Sequence, residues 1–249
     1  MMKKKPVRIA LIVVSSLLVL CVGGFAFIYF AFDVPNWQKI DPDKILNLQQ
    51  TSLVYDGEGN LIETLQAQEN RTVVPISRIP KFVQDAFIAA EDLRFYKHSG
   101  FDVIRIAGAL WNDIKTRSLR EGASTITQQL VRNTILADEM NDISFKRKVR
   151  EMYLSVKLEE QYSKDEILLM YLNTINYGSG AYGIEAASQR YFSKHASELT
   201  LAEAAALIGI PQSPTYNNPI DHEDNCLARR NLVLDRMLTN GYITQEEHD

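Results

Sequence analysis

Between Ile9 and Phe32 the chain reads "IALIVVSSLLVLCVGGFAFIYFAF", a run without a single charged side chain. A bilayer-spanning helix needs about 20 apolar residues, whereas a secretory signal core has roughly 7–15 and is followed by a small-residue cleavage site. The sequence after the run, "AFDVPNW", offers no such site, so the pattern predicts an uncleaved membrane anchor over 9–32. Lys3, Lys4, Lys5 and Arg8 precede the run and Asp33 follows it. Positive charge is retained on the cytoplasmic side, which makes residues 1–8 a cytoplasmic tail and sends the chain outside from about residue 33. Tyr29 and Trp37 suit the aromatic belt of a membrane interface.

Past a linker at 33–49, "TSLVYDGEGNLIETLQ" alternates apolar and polar residues around Asp56-Gly57-Glu58-Gly59-Asn60, the pattern of a small β-hairpin. From Ile79 the period becomes helical. Phe82, Val83, Ala86, Phe87 and Ala90 form one apolar stripe that leaves Glu91 at its border, partly desolvated. Thr125/Gln128, Ser163/Glu166, Thr200/Glu203 and Thr244/Glu247 all have capping-box spacing. Gly100, Gly178, Gly180, Pro211, Pro214 and Asn240-Gly241 mark helix ends. The expected architecture is one mainly α-helical domain over 50–249, with the hairpin at its N-terminal edge. In "SFKRKVREMYLSVKLEE" the helical spacing of Phe145, Val149, Met152 and Val156 predicts the buried face, with Lys148, Glu151 and Ser155 on an adjacent flank. "FDVIRIAGALWNDIKTRSLR" combines Phe101, Ile104, Leu110, Trp111 and Ile114 with Lys115, Arg117 and Arg120. That composition suits a helix leaning on a bilayer, and suits burial in the core equally well.

Composition narrows the chemistry. A hydrophobic fraction of 46% provides ample core, and a net charge of −4 argues against a general nucleic-acid binder. There are two cysteines, and because Cys21 lies in the apolar run it does not pair with Cys226, nor do the two make a zinc site. His195, His222 and His248 are scattered, and His98 reads as a hydrogen-bonded structural residue. "EDLRFYKHSG" sets Glu91 and Asp92 beside Arg94, Lys97 and His98, which suits a catalytic loop, a metal site or a charged helix end. In "GASTITQQ" a glycine permits close backbone approach, and a helix N-terminus at Ser124 or Thr125 offers free amides to phosphate, although a bare capping box reads the same way. "KRKVRE" is by itself a solvated charged face or a cationic site.

Taken in order, "EDLRFYKHSG", "GASTITQQLVRN", "RKVREMYLSVKLEE", "YLNTINYG", "AYGIEAASQRYF" and "LTLAEAAALIGIPQSP" resemble the motifs of the peptidoglycan glycosyltransferase domain (glycosyltransferase family 51) of class A penicillin-binding proteins and monofunctional transglycosylases. The resemblance covers roughly residues 50–240. It implies a lysozyme-like helical fold, a cell-membrane enzyme with an extracytoplasmic catalytic domain, and a substrate pair of lipid II and a growing glycan strand on polyprenyl diphosphate. Other cell-wall synthesis proteins are implied as partners. By the same resemblance Glu91 is the general base for the acceptor 4-hydroxyl and Glu151 the second essential acid. Lys148, Arg147 and Arg132 then serve the diphosphate, and Ser124, Thr125 and Gln129 contact sugar or phosphate. The family leaves room for a magnesium or manganese ion, which ligand spacing here does not establish.

The chain departs from the pattern at Gly108 and Ile143, where many members carry basic residues. Arg105 and Lys146, about one turn away, are expected to place charge in similar space. A lysozyme-like lytic muramidase is the alternative enzyme, but hydrolysis has no use for a cationic diphosphate pocket. A non-catalytic wall-binding protein would not need both Glu91 and Glu151. Whether a transpeptidase domain follows in the parent protein stays open.

Overall fold

The computed structural model describes residues 4–32, 34, 37, 45, 52–58, 61–65, 70–116, 122–140 and 142–249. Most of the linker at 33–49, the turn residues Gly59 and Asn60, and Arg117 and Arg120 lie outside these residues. The chain is mainly helical, as its periodicity predicts. Helix α1 (Lys4–Ala31) holds all of the apolar run but Phe32, and its window Val14–Ala31 is long and apolar enough to cross a membrane, with none of its described residues buried in the protein. Strands β1 (Ser52–Tyr55) and β2 (Leu61–Leu65) form the expected antiparallel hairpin, with Ser52 opposite Leu65 and an irregularity between Val54 and Tyr55. At its turn the Glu58 amide donates to Asp56 Oδ1 at 2.9 Å.

The helical body is built from α2 (Lys81–Glu91), α3 (Val103–Thr116), α4 (Ile126–Asn133), α5 (Phe145–Glu159), α6 (Lys164–Thr174), α7 (Ile184–Phe192), α8 (Leu201–Gly209), α9 (Glu223–Thr239) and the short α10 (Gln245–His248). A two-residue parallel pair, β3 (Asn70–Arg71) with β4 (Ala181–Tyr182), ties the segment before α2 to the segment before α7. All four capping boxes form, at Thr125, Ser163, Thr200 and Thr244. Each is local in sequence, which is why residue spacing alone discloses it.

The core lies where α2, α4, α6, α8 and α9 meet. Val83, Ala86, Phe87 and Ala90 of α2 are buried as the stripe predicts. Phe87 packs edge-on against Tyr171 of α6 and Tyr177, at centroid distances of 5.6 and 6.3 Å. Helix α4 is only eight residues long, yet six of them are buried, so it sits in the interior rather than along its edge. Gly100 makes this packing possible. Its φ is +83°, and a Cβ there would stand 2.5 Å from the Val156 amide nitrogen of α5, so only glycine lets the loop after α2 pass beneath α5.

One sequence expectation meets a different outcome. The interior face of α5 is Glu151, Leu154, Ser155 and Leu158, not the stripe of Phe145, Val149, Met152 and Val156. Phe145 is 67% exposed and its ring lies 6.1 Å from that of Phe32, while Trp37 packs on Tyr153 at 5.3 Å. The apolar stripe therefore meets the chain where it leaves α1, and the helix turns polar side chains inward. On α3, Val103, Ile104 and Trp111 are exposed and Ala109 is buried, while the side chains of Leu110 and Ile114 lie outside those described.

Candidate active site

The site is organised by the junction between the end of α2 and the start of α4. Asp92, immediately after α2, has no exposed surface. Its Oδ2 accepts from the Ile126 amide at 3.0 Å, the first amide of α4, and lies 2.9 Å from His98 Nε2. A carboxylate at a helix N-terminus answers both a free amide and the positive end of the dipole. The His98 side chain is buried, with Nδ1 3.4 Å from Lys164 Nζ. Lys164 donates to Glu159 Oε1 at 2.7 Å, which also accepts from the Thr127 hydroxyl at 2.6 Å. Burial lowers the Lys164 pKa, and its bond to Glu159 opposes that shift. His98 thus has the structural part expected of it, inside a network that locks α4, α5 and α6 together.

One residue earlier, Glu91 points the other way. It lines a cleft of about 680 Å³ with Ser124, Gln129, Arg132, Arg105 and, from the far wall, Gln212, Arg236 and Asn240. Glu91 Oε2 accepts from Gln129 Nε2 at 2.8 Å, and Gln129 Oε1 accepts from the Tyr171 hydroxyl at 3.0 Å. The main chain is held as firmly as the carboxylate. Arg236 of α9 donates to the Ala90 carbonyl and Arg105 of α3 to the Glu91 carbonyl, so two guanidinium groups meet the negative end of α2. Arg105 also reaches the carbonyls of Gly122 at 2.9 Å and Ser124 at 3.4 Å. Every hydrogen bond of its guanidinium among the described residues goes to backbone. Arg229, also on α9, has its pKa lowered by burial, while the negative charge of Glu91 favours its protonated form.

The floor near α3 is set by Asp102, which accepts from the Ile104 and Arg105 amides at 2.9 and 3.0 Å and from Arg94 Nε at 2.8 Å. Burial by itself raises the Asp102 pKa, but these donors, led by the Arg105 amide, outweigh it and hold the group below the ordinary aspartate value. Its contribution to stability is therefore complete above the ordinary carboxylate range and is lost as the pH falls below it.

Glu151 has no exposed surface, and both its oxygens are taken: Arg147 Nη1 reaches Oε2 at 2.8 Å and Lys148 Nζ bonds Oε1. Lys148 Nζ also donates to Ser124 Oγ at 2.9 Å. Ser124 lines the Glu91 cleft, so this hydroxyl links the two carboxylates that the sequence sets far apart. Two cations on one carboxylate leave a net charge of +1 beside the cleft, and Arg132 adds another without a hydrogen bond or ion pair among the described residues. Thr125 does not reach the cleft: it is fully buried, and its hydroxyl donates to the Gly100 carbonyl at 2.6 Å while capping Gln128. Lys146 and Ile143 are exposed at the start of α5. The donor set around Glu151 does not fit a magnesium or manganese ion, because neither carboxylate oxygen is free of a cation. Among the described residues no group of three or more His, Cys, Asp or Glu side chains is placed to hold one.

The α9 side of the far wall was not foreseen as part of the site: Arg236 lies outside every motif and Asn240 was read only as a helix end, while Gln212 stands inside the last motif, and α9 meets α2 only through the fold. Tyr171 stands inside "YLNTINYG", where its helical spacing marks it as core and nothing marks its hydroxyl.

Residues 58–238 match a family model described as Transglycosylase. The chain is 44% identical over 218 residues to penicillin-binding protein 1A of Clostridium tetani, covering 84% of this chain and 27% of that one. It is 45% identical over 234 residues to penicillin-binding protein 1A/1B of Bacillus subtilis, covering 94% and 25%. Against penicillin-binding protein 1A of Aquifex aeolicus it is 41% identical over 251 residues, covering 100% and 33%. The chain thus spans a third or less of the length of these relatives.

The geometry of Arg105 makes a specific prediction. Arg105→Ala leaves the carbonyls of Glu91, Gly122 and Ser124 without their donor, and stability should fall by about 1.5–3 kcal/mol, the range for charge-assisted hydrogen bonds. Thermal melting should show a drop of several degrees that Arg105→Lys restores only in part, since an ammonium does not reproduce the planar fork. An unchanged melting temperature in Arg105→Ala would contradict this placement.

Proposed function

Because the chain belongs to the transglycosylase family, we propose that it is a membrane-anchored peptidoglycan glycosyltransferase that polymerises lipid II into glycan strands. The observation that carries this reading is the pairing of two unlike carboxylates through Ser124. Glu91 faces the cleft with a neutral amide as its neighbour, and Glu151 lies buried under two cations. In the reaction the acceptor 4-hydroxyl gives its proton to Glu91 while its oxygen bonds the anomeric carbon of the donor. The bond from that carbon to the polyprenyl diphosphate breaks from the opposite face, so the configuration inverts and diphosphate leaves with the electron pair. A diphosphate leaving group calls for charge neutralisation more than for a proton. Lys148, Arg147 and Arg132 supply it, and Glu151 holds the first two in place. Ser124, on the same cleft wall, contacts the donor.

In this reading residues 1–8 are cytoplasmic, 9–32 cross the membrane, 33–49 link, and 50–249 form the glycosyltransferase domain outside. The exposed Val103, Ile104 and Trp111 of α3, together with Phe145 beside Phe32, lean on the bilayer from which a lipid-linked substrate arrives.

Incubation with lipid II tests the chemistry. Glu91→Gln keeps shape and polarity but removes the proton acceptor, and polymerisation should fall by about 10²–10⁴-fold, the loss typical of an absent general base. Wild-type protein should leave finished glycan intact; digestion of glycan without polymer from lipid II would favour the muramidase instead. The topology has its own test. Cys226 is buried and does not serve as a reporter, whereas a side chain at Gly57 meets nothing within 4 Å. Gly57→Cys should react with an impermeant maleimide in intact spheroplasts, and reaction only after lysis would reverse the orientation.

A further inference from the structure

Tyr171 touches the catalytic end of α2 in two independent ways. Its ring packs edge-on against Phe87, one turn before Glu91, and its hydroxyl donates to Gln129 Oε1 at 3.0 Å. The side chain is fully buried, and burial, with the negative charge of Glu91 adding to it, raises the hydroxyl pKa well above that of free tyrosine. The group therefore keeps its proton and acts as a donor. A glutamine amide has one acceptor end and one donor end. With its oxygen bonded to Tyr171, the Gln129 nitrogen is turned to Glu91 Oε2, at 2.8 Å.

We propose that Tyr171 is a positioning residue for glycosyl transfer, acting through Gln129 to aim the Glu91 carboxylate. This rests on the reading of Glu91 as the base. The amide has a second orientation, in which its carbonyl faces the carboxylate. Two oxygens then repel each other, and Glu91 rotates away from the acceptor. The tyrosine makes that orientation unfavourable, because a flipped amide leaves both the buried phenol and the amide oxygen badly matched. Gln129 occupies Oε2, which leaves Oε1 of Glu91 to receive the acceptor proton. The relay crosses three helices, from α6 through α4 to α2, so the carboxylate is aimed by the packed interior and not by its own loop.

The test is a cycle on the full chain with lipid II, comparing Tyr171→Phe, Gln129→Ala, the double variant and Glu91→Gln. Tyr171→Phe keeps the ring and removes the donor, and kcat should fall about five- to tenfold with KM within about twofold of wild type, the scale of one lost hydrogen bond. In the Gln129→Ala background the same substitution should cost nothing further, since the group it acts through is gone. An equal loss of kcat in both backgrounds, or an effect on KM alone, would overturn the proposal by giving Tyr171 a merely structural part. If Tyr171→Phe does not fold, Gln129→Glu carries the test: it keeps an oxygen for Tyr171 but offers Glu91 no N–H, and turnover at the wild-type rate would overturn the proposal. The two readings fail separately. Near-normal turnover in Glu91→Gln removes the base assignment, whereas an inactive Glu91→Gln with unchanged kcat in Tyr171→Phe removes only the positioning role.

Discussion

Asp92 is the constraint on which the site depends. A carboxylate without exposed surface is costly unless donors meet it; here the Ile126 amide and the His98 ring both meet Oδ2, while Oδ1 is buried without a hydrogen-bond partner among the described residues. The end of α2 is thereby fixed against the beginning of α4, and the two helices meet end to end with their dipoles bridged by one carboxylate. Because Asp92 turns inward, Glu91 one residue earlier turns outward into the cleft. The guanidinium groups of Arg105 and Arg236 close the same junction from the other side by holding the last carbonyls of α2. Four helices thus decide where a single carboxylate points.

The two glutamates then differ in what surrounds them. Glu91 receives one neutral N–H and looks into the cleft. Glu151 has no exposed surface, and its two oxygens are bonded by Arg147 and Lys148, so its charge holds those cations in place. A buried ion group of this kind is weak evidence for stability, since desolvation offsets the attraction. In α5 it leaves an excess of positive charge next to Ser124.

What the sequence disclosed follows how far apart the interacting residues lie. The four capping boxes and the hairpin are local, and the apolar stripe of α2 has no competing polar residue, so all were legible. Helix α5 was misread because periodicity finds the most apolar face, while here that face meets Phe32 and the interior takes Glu151 and Ser155. Ser155 is accommodated by donating to the Glu151 carbonyl at 2.7 Å, a local bond that hydropathy does not register. Arg236 and Ala90 are 146 positions apart, and no spacing rule links them. The motifs singled out the carboxylates and the cationic residues, whereas the contact of Tyr171 with Gln129 and the clamping of α2 by α9 needed the fold.

In the proposed mechanism Glu91 takes the acceptor proton, while Lys148, bonded to Ser124, meets the diphosphate. Calorimetric titration of a short-chain prenyl diphosphate into wild type, Glu91→Gln and Lys148→Met measures this directly. Glu91→Gln should bind within about twofold of wild type. Lys148→Met should bind at least roughly tenfold more weakly, the lower end of what a charge-assisted hydrogen bond contributes. Loss of binding in Glu91→Gln together with unchanged binding in Lys148→Met would contradict it.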